Sequence, residues 1–130
     1  MVIKKKSELG VLTKSKELCS YVMTITHKSP KEYRFSYVSR LQNLALDIVE
    51  NIIRANEVFL EKENVHSYNL RLGYQRETMT SLKLLAYFAM LSMEQRCILL
   101  KQYEQISLKI SDCQNMLGAW MMSDKNRIGI

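Results

Sequence analysis

The feature that most constrains this chain is a run of apolar residues spaced three and four apart. Val38, Leu41, Ala45, Ile48, Ile52, Ala55 and Phe59 step 3, 4, 3, 4, 3, 4. That spacing returns to one side of an α-helix but scatters over both faces of a strand, so across three heptads only a helix can bury it. Leu44, Val49 and Ile53 broaden the seam to the width a bundle core needs. A second run repeats the pattern: Leu99, Tyr103, Ile106, Ile110, Cys113, Leu117 and Trp120 step 4, 3, 4, 3, 4, 3. Two amphipathic helices of this length leave apolar surface that further helices must cover.

The remaining sequence supplies two. The first helix is expected over about residues 12–28, where Leu18, Val22 and Ile25 mark one face and Cys19 and Tyr21 widen it. Pro30 ends it, because the residue before a proline resists the α conformation. Ser29-Pro30-Lys31-Glu32 also reads as a helix start, with Ser29 as N-cap and Pro30 at the first helical position. A short turn through Tyr33-Arg34-Phe35 with a restart at Ser36 fits equally well. The 38–59 seam closes in the polar connection Glu61-Lys62-Glu63-Asn64.

The third helix is expected over about residues 67–91, with Leu72, Met79, Leu82, Leu85, Ala86 and Ala89 on its buried face. From Leu82 to Met93 it is apolar nearly all round. Such a helix is either central or meets another protein. A small bundle has too little volume to bury every face, so Leu84, Tyr87, Phe88 and Leu91 are the expected subunit or partner interface. The fourth helix is expected from about residue 93 to 122. Gly118 within it reads as room for the Trp120 indole or as close approach by a neighbour. A basic N-terminal stretch of about residues 1–10 and a polar tail of about residues 123–130 are expected to be flexible.

No segment alternates with the period of a strand, and no repeat is present. Four glycines and one proline in 130 residues are too few for a turn-rich β architecture. The expected fold is therefore one all-α domain, an antiparallel up-down four-helix bundle with short connections.

No run approaches the roughly 18 apolar residues of a membrane span. The start Met1-Val2-Ile3-Lys4-Lys5-Lys6 has charge with no apolar stretch after it, which predicts no secretory signal and a cytoplasmic location. Cys19, Cys97 and Cys113 are sparse, odd in number and set among apolar residues, as small core residues are and a disulfide framework is not.

The net charge of +6 is uneven. Residues 1–40 carry nine Lys/Arg and three Glu, whereas residues 41–95 are net acidic. A basic region at the first helix and the start of the second attracts polyanions such as RNA or DNA.

Sequence signatures of catalysis are missing. Glu63-Asn64-Val65-His66 has the Glu-x-x-His spacing of di-iron bundles, but those sites need a second such motif and two further carboxylates. His27 sits at a helix end as a C-terminal cap would. No phosphate-cradling glycine loop or dinucleotide turn occurs, and no nucleophile and base pair within the apolar seams. The sequence predicts a protein that is not an enzyme and that holds no cofactor and no metal.

Two stretches carry a family resemblance. One runs from Tyr33-Arg34-Phe35-Ser36-Tyr37 through Arg40-Leu41-Gln42-Asn43-Leu44 to Asp47. The other runs from Tyr74-Gln75-Arg76-Glu77 through Lys101-Gln102-Tyr103-Glu104 to Leu117-Gly118-Ala119-Trp120. Over about residues 10–124 the chain resembles the accessory variability determinant proteins of diversity-generating retroelements, bacterial four-helix bundles related to proteins of ribosomal-RNA intervening sequences. The resemblance implies a basic homopentamer that binds a reverse transcriptase and its template RNA, in a complex that makes mutagenised complementary DNA, itself a further candidate ligand. The accessory subunit itself does no polymerisation. The chain departs from the pattern in its modest net charge and in Gly73.

Five basic residues are candidates for nucleic-acid contact. Arg40 and Arg54 lie two heptads apart on one face of the second helix, and Arg76 and Lys83 one heptad apart on the third. Arg34 either joins them or holds the turn between the first two helices through helix-end carbonyls. The alternative for Arg40 and Arg54 is a solvated face paired with Asp47 and Glu50. Tyr21, Tyr33 and Tyr37 are candidates for base stacking or for the rim of the core, and Trp120 for a packing anchor.

Overall fold

A computed structural model describes residues 6–129, with side chains described from residue 10 onward. Four helices are present: α1 Lys6–Thr26, α2 Ser39–Glu57, α3 Val65–Glu94 and α4 Leu100–Ile128. Among the described residues there is no strand, so the all-helical class read from the seams holds. Helix α1 packs on α2 and α4, and α3 packs on the same two.

The seams do what their spacing demands. Leu41, Ala45, Ile48, Ile52 and Ala55 of α2 and Ile106, Ile110, Cys113, Leu117 and Trp120 of α4 are all buried. Leu18, Val22 and Ile25 of α1 close on them, with Leu82, Leu85 and Ala89 of α3. Phe59 and Leu99 drop off the seams and are exposed, since α2 ends at Glu57 and α4 begins only at Leu100.

Boundaries differ from the expectation at four places. Helix α1 begins at Lys6, so of the stretch 1–10 expected to be flexible, residues 6–10 are helical and residues 1–5 lie outside the described residues. Gly10 lets α1 approach α4 closely: a methyl group there would overlap the end of the Met116 side chain. The connection between α3 and α4 is residues 95–99, later than expected, because α3 continues to Glu94 and α4 starts at Leu100. There the Leu99 N–H donates to Gln102 Oε1 at 2.8 Å, which satisfies an otherwise unpaired helix-start donor. The tail expected to fray is helical to Ile128, because Asp124 and Ile128 continue the seam four and eight residues beyond Trp120 and are both buried.

The fourth difference is the Ser29-Pro30 region. Ser29 caps nothing; its hydroxyl is buried beside the Cys97 thiol. The chain turns helical at Lys31 without a break, as a 3-10 turn (Lys31–Tyr33) and a π-helical turn (Arg34–Val38) that lead into α2.

A buried polar cluster has no counterpart in the apolar seams. The buried line of α3 runs Ser67, Arg71, Gln75 and Thr78 before it reaches Leu82, so the first half of that helix offers polar groups to the core. Arg71 is 4% exposed and Asp124 of α4 is 1% exposed. They form a bidentate pair: Arg71 Nε donates to Asp124 Oδ2 at 2.6 Å and Nη2 to Oδ1 at 3.1 Å. Arg71 Nη1 also donates to the Val58 carbonyl at 3.1 Å, one of the acceptors left open where α2 ends. Gln75 Nε2 donates to Asp124 Oδ2 at 2.9 Å, and the guanidinium stacks over the Trp120 ring at 5.1 Å. Gly118, expected to make room for that indole or a neighbour, does neither within the chain: it is exposed, and a methyl group there would meet nothing within 4 Å.

Candidate nucleic-acid interface

The turn between α1 and α2 is held from behind. Tyr33 donates its hydroxyl to the Gln95 carbonyl at 2.8 Å, which ties this turn to the one between α3 and α4. Gln42 Nε2 donates to Thr26 Oγ1 at 3.0 Å, and Thr26 donates to the Val22 carbonyl at 2.6 Å. Tyr33 and Tyr37 meet edge to face with ring centroids 5.8 Å apart and pack on the core. These anchors leave the outward side chains of the turn to solvent.

Those side chains are mostly cationic. Between residues 26 and 40 there are four Lys/Arg, namely Lys28, Lys31, Arg34 and Arg40, against Glu32 alone. Lys28, Lys31, Arg34 and His27 are exposed. His27, Lys31 and Arg34 line a groove of about 660 Å³ with Pro30, Phe35 and Gln42. No ion pair between described residues involves Lys28, Lys31 or Arg34. Arg34 makes no bond to helix-end carbonyls among the described residues, so its guanidinium is presented outward. His27 likewise caps nothing with its ring and lies on the rim of the groove.

Phe35 is 91% exposed. It stands off the α2 seam, whose 3-4 alternation counts back from Val38 by four to Arg34, and within the wider turn Arg34–Val38. It lines the 660 Å³ groove on one side and, on the other, a groove of about 410 Å³ formed with Tyr37, Arg40, Asp47 and Phe88.

The other candidates stand in different company. Arg40 stacks on the Phe88 ring at 5.2 Å and joins α2 to α3. Arg54 pairs with Glu50 at 3.6 Å, the same-helix pairing that its spacing allowed. Arg76 shares a groove with Asp47, Glu50 and Glu77, whose carboxylates offset its charge. Lys83 is exposed on α3. Arg40, Arg54 and Arg76 therefore each stand near a carboxylate, whereas Arg34 makes no ion pair among the described residues.

Tyr21 packs on the core with Lys109 over its ring at 5.3 Å, and Trp120 is fully buried. Leu84, Tyr87 and Leu91 form an exposed apolar stripe along α3. Phe88, grouped with them from the sequence, is half-buried against the core beneath Arg40. Sequence reasoning passes over Lys31, His27 and Phe35 as site residues. An Arg-Phe pair directly after a proline-led turn, with Phe35 off the 3-4 seam, is the available signal, but the groove that Lys31 and His27 share with the ring is not encoded by spacing.

Among the described residues no group of three His, Cys, Asp or Glu side chains converges as metal ligands do. No described helix is long and apolar enough to cross a membrane. The chain matches no protein-family model and no curated protein.

Proposed function

We propose that this protein is a non-catalytic accessory subunit of a diversity-generating retroelement, one that binds the element's reverse transcriptase and template RNA in support of mutagenic complementary-DNA synthesis. The observation that carries the nucleic-acid part is the cationic turn, where Lys28, Lys31 and Arg34 stand exposed with no acidic partner among the described residues. Phosphate chains bind to such clusters by releasing counterions, which makes affinity fall steeply with salt. The retroelement part rests on the sequence resemblance.

In this reading the helices form an antiparallel up-down bundle. Support comes from the Tyr33–Gln95 contact between two turns at one end and the Glu63 N–H donating to the Ile128 carbonyl at 2.8 Å at the other. The bundle works in the cytoplasm as a homo-oligomer, a pentamer by the resemblance, with no catalytic group, cofactor or metal of its own.

The alternative is a purely structural homo-oligomer of the ribosomal-RNA intervening-sequence type with no RNA role. It is favoured by the stripe of Leu84, Tyr87 and Leu91, three apolar side chains exposed along one line of α3, with Tyr87 65% exposed.

A tagged pull-down from the native cell tests both. Recovery of a reverse transcriptase with one structured RNA is the expected result. An intact oligomer that recovers neither would leave the structural reading. With purified protein, Lys31→Glu with Arg34→Glu should lower RNA affinity and reduce the salt slope by about 0.7 for each phosphate no longer neutralised. Arg54→Glu with Arg76→Glu should do less, because carboxylates already offset those two.

A further inference from the structure

The exposed ring of Phe35 marks a binding subsite of different chemistry from the cations around it. An aromatic side chain 91% exposed on a helical turn gains nothing from solvent, and its neighbours make a protein core an ill-suited cover. Lys31, Arg34 and His27 stand on one side of it, in a groove without an acidic residue, while Arg40 and Asp47 offset each other on the other, so an occupant on the first side must tolerate or seek positive charge. The ring also stands between two grooves, of about 660 and 410 Å³, each of which Phe35 and Ser39 line. The segment is anchored from behind by the Tyr33–Gln95 and Gln42–Thr26 bonds, so the ring is presented on a backbone that is already organised.

We infer that Phe35 is a stacking platform for an unpaired nucleobase, with Arg34 and Lys31 holding the phosphates beside it, so that this turn prefers single-stranded to duplex nucleic acid. This rests on the nucleic-acid reading above and sharpens it to a class of ligand. Each part follows from chemistry. A polyanion satisfies the cations. A flat apolar base covers the ring, and stacking is available only to bases that are not already stacked in a helix. A duplex would offer phosphates to Arg34 and Lys31 but no face to Phe35. An acidic protein segment would meet the charge and leave the ring uncovered.

The test uses the full-length chain and fluorescence anisotropy with two labelled ligands, a 12-nucleotide oligoadenylate and an RNA duplex of equal charge, and an acidic polyglutamate peptide as competitor. Phe35→Ala is expected to weaken the single strand about tenfold, leave the duplex unchanged and leave the salt slope of both unchanged. Phe35→Tyr should restore single-strand affinity. The ring lies off the core, so Phe35→Ala should unfold at the wild-type temperature, which circular dichroism checks.

Equal weakening of single strand and duplex, or no weakening of either, would overturn the stacking role. The nucleic-acid reading would then stand or fall separately on the paired Lys31→Glu and Arg34→Glu variant. Wild-type protein that binds neither the oligoadenylate nor the duplex would overturn both. Displacement of the oligoadenylate by polyglutamate at equal charge concentration would assign the turn to an acidic protein partner and also overturn the inference.

Discussion

The two ends of this molecule solve the packing problem differently. Where the α1–α2 and α3–α4 turns meet, the core is built from Val22, Ile25, Leu41, Leu85 and Ala89 and buries no charge, the hydroxyls of Thr26 and Ser92 bonding back to their own helices, and the surface above it is basic. Towards the α2–α3 connection the core contains an arginine, an aspartate, a glutamine and a threonine, and residues 57–63 outside it carry three glutamates and one lysine. Apolar packing is non-directional and tolerates small shifts of one helix on another. A bidentate arginine–carboxylate pair with further donors on the same oxygens is directional and tolerates none. The polar end thus fixes how α3 sits on α4, while the aliphatic end leaves its charged groups on the surface for a ligand.

That contrast can be broken most sharply at Asp124. Asp124→Ala leaves the Arg71 guanidinium buried without its carboxylate, and a loss of about 3–5 kcal/mol in urea unfolding is expected. Replacing both partners, Arg71→Met with Asp124→Leu, should recover most or all of that stability. If the double variant stays as unstable as Asp124→Ala, the pair itself holds the fold together rather than specifying its register.

Leu41→Ala at the other end should cost about 2–5 kcal/mol by leaving a cavity. No second substitution of the polar kind should rescue it, since the loss is of volume and not of a partner.

The aliphatic side has a titration of its own. Burial pushes the Cys113 thiol up from 9.0 to about 11, with Asp112 adding to the shift and Lys14 opposing it. The folded chain therefore keeps this proton after the unfolded chain releases it. Stability is full below about pH 9 and falls as pH rises toward 11. Cys113→Ala should flatten that part of the stability–pH curve relative to the wild type, measured by urea unfolding across the alkaline range. In native protein the half-buried Cys19 should alkylate before Cys113.

The smallest effect is at Gly118. It is mid-helix and exposed, with open space where a methyl would go, so Gly118→Ala should stabilise the monomer by up to about 1 kcal/mol. If the same change splits an oligomer in sedimentation experiments, the glycine serves approach by a second subunit.

How much of this is legible in the sequence depends on the kind of residue. The seams of α2 and α4 are readable because nearly every position on them is apolar, and a 3-4 spacing of apolar residues has only one geometry that buries it. Arg71 and Gln75 keep the same spacing on α3, yet no hydropathy pattern reveals them, since burial of a charge depends on a partner 53 residues away. The end of α4 reads as a fraying tail for the same reason: Asp124 looks solvent-facing until Arg71 is placed beside it. At the candidate interface, Arg34 is identified by charge, whereas Lys31 and His27 gain their place from the groove they share with it.

The helical class, most of the apolar core and the region where positive charge concentrates were set by the amino-acid order alone, because each follows from composition and local period. Which charges are compensated and which aromatic is exposed came from the folded arrangement. Arg54 pairs with Glu50 along its helix, Arg76 shares a groove with carboxylates of two helices, Arg71 is drawn inward by Asp124, and Phe35 is left exposed between two grooves. Most of those outcomes depend on distances between residues remote in the chain, which are not a property of any single stretch of sequence.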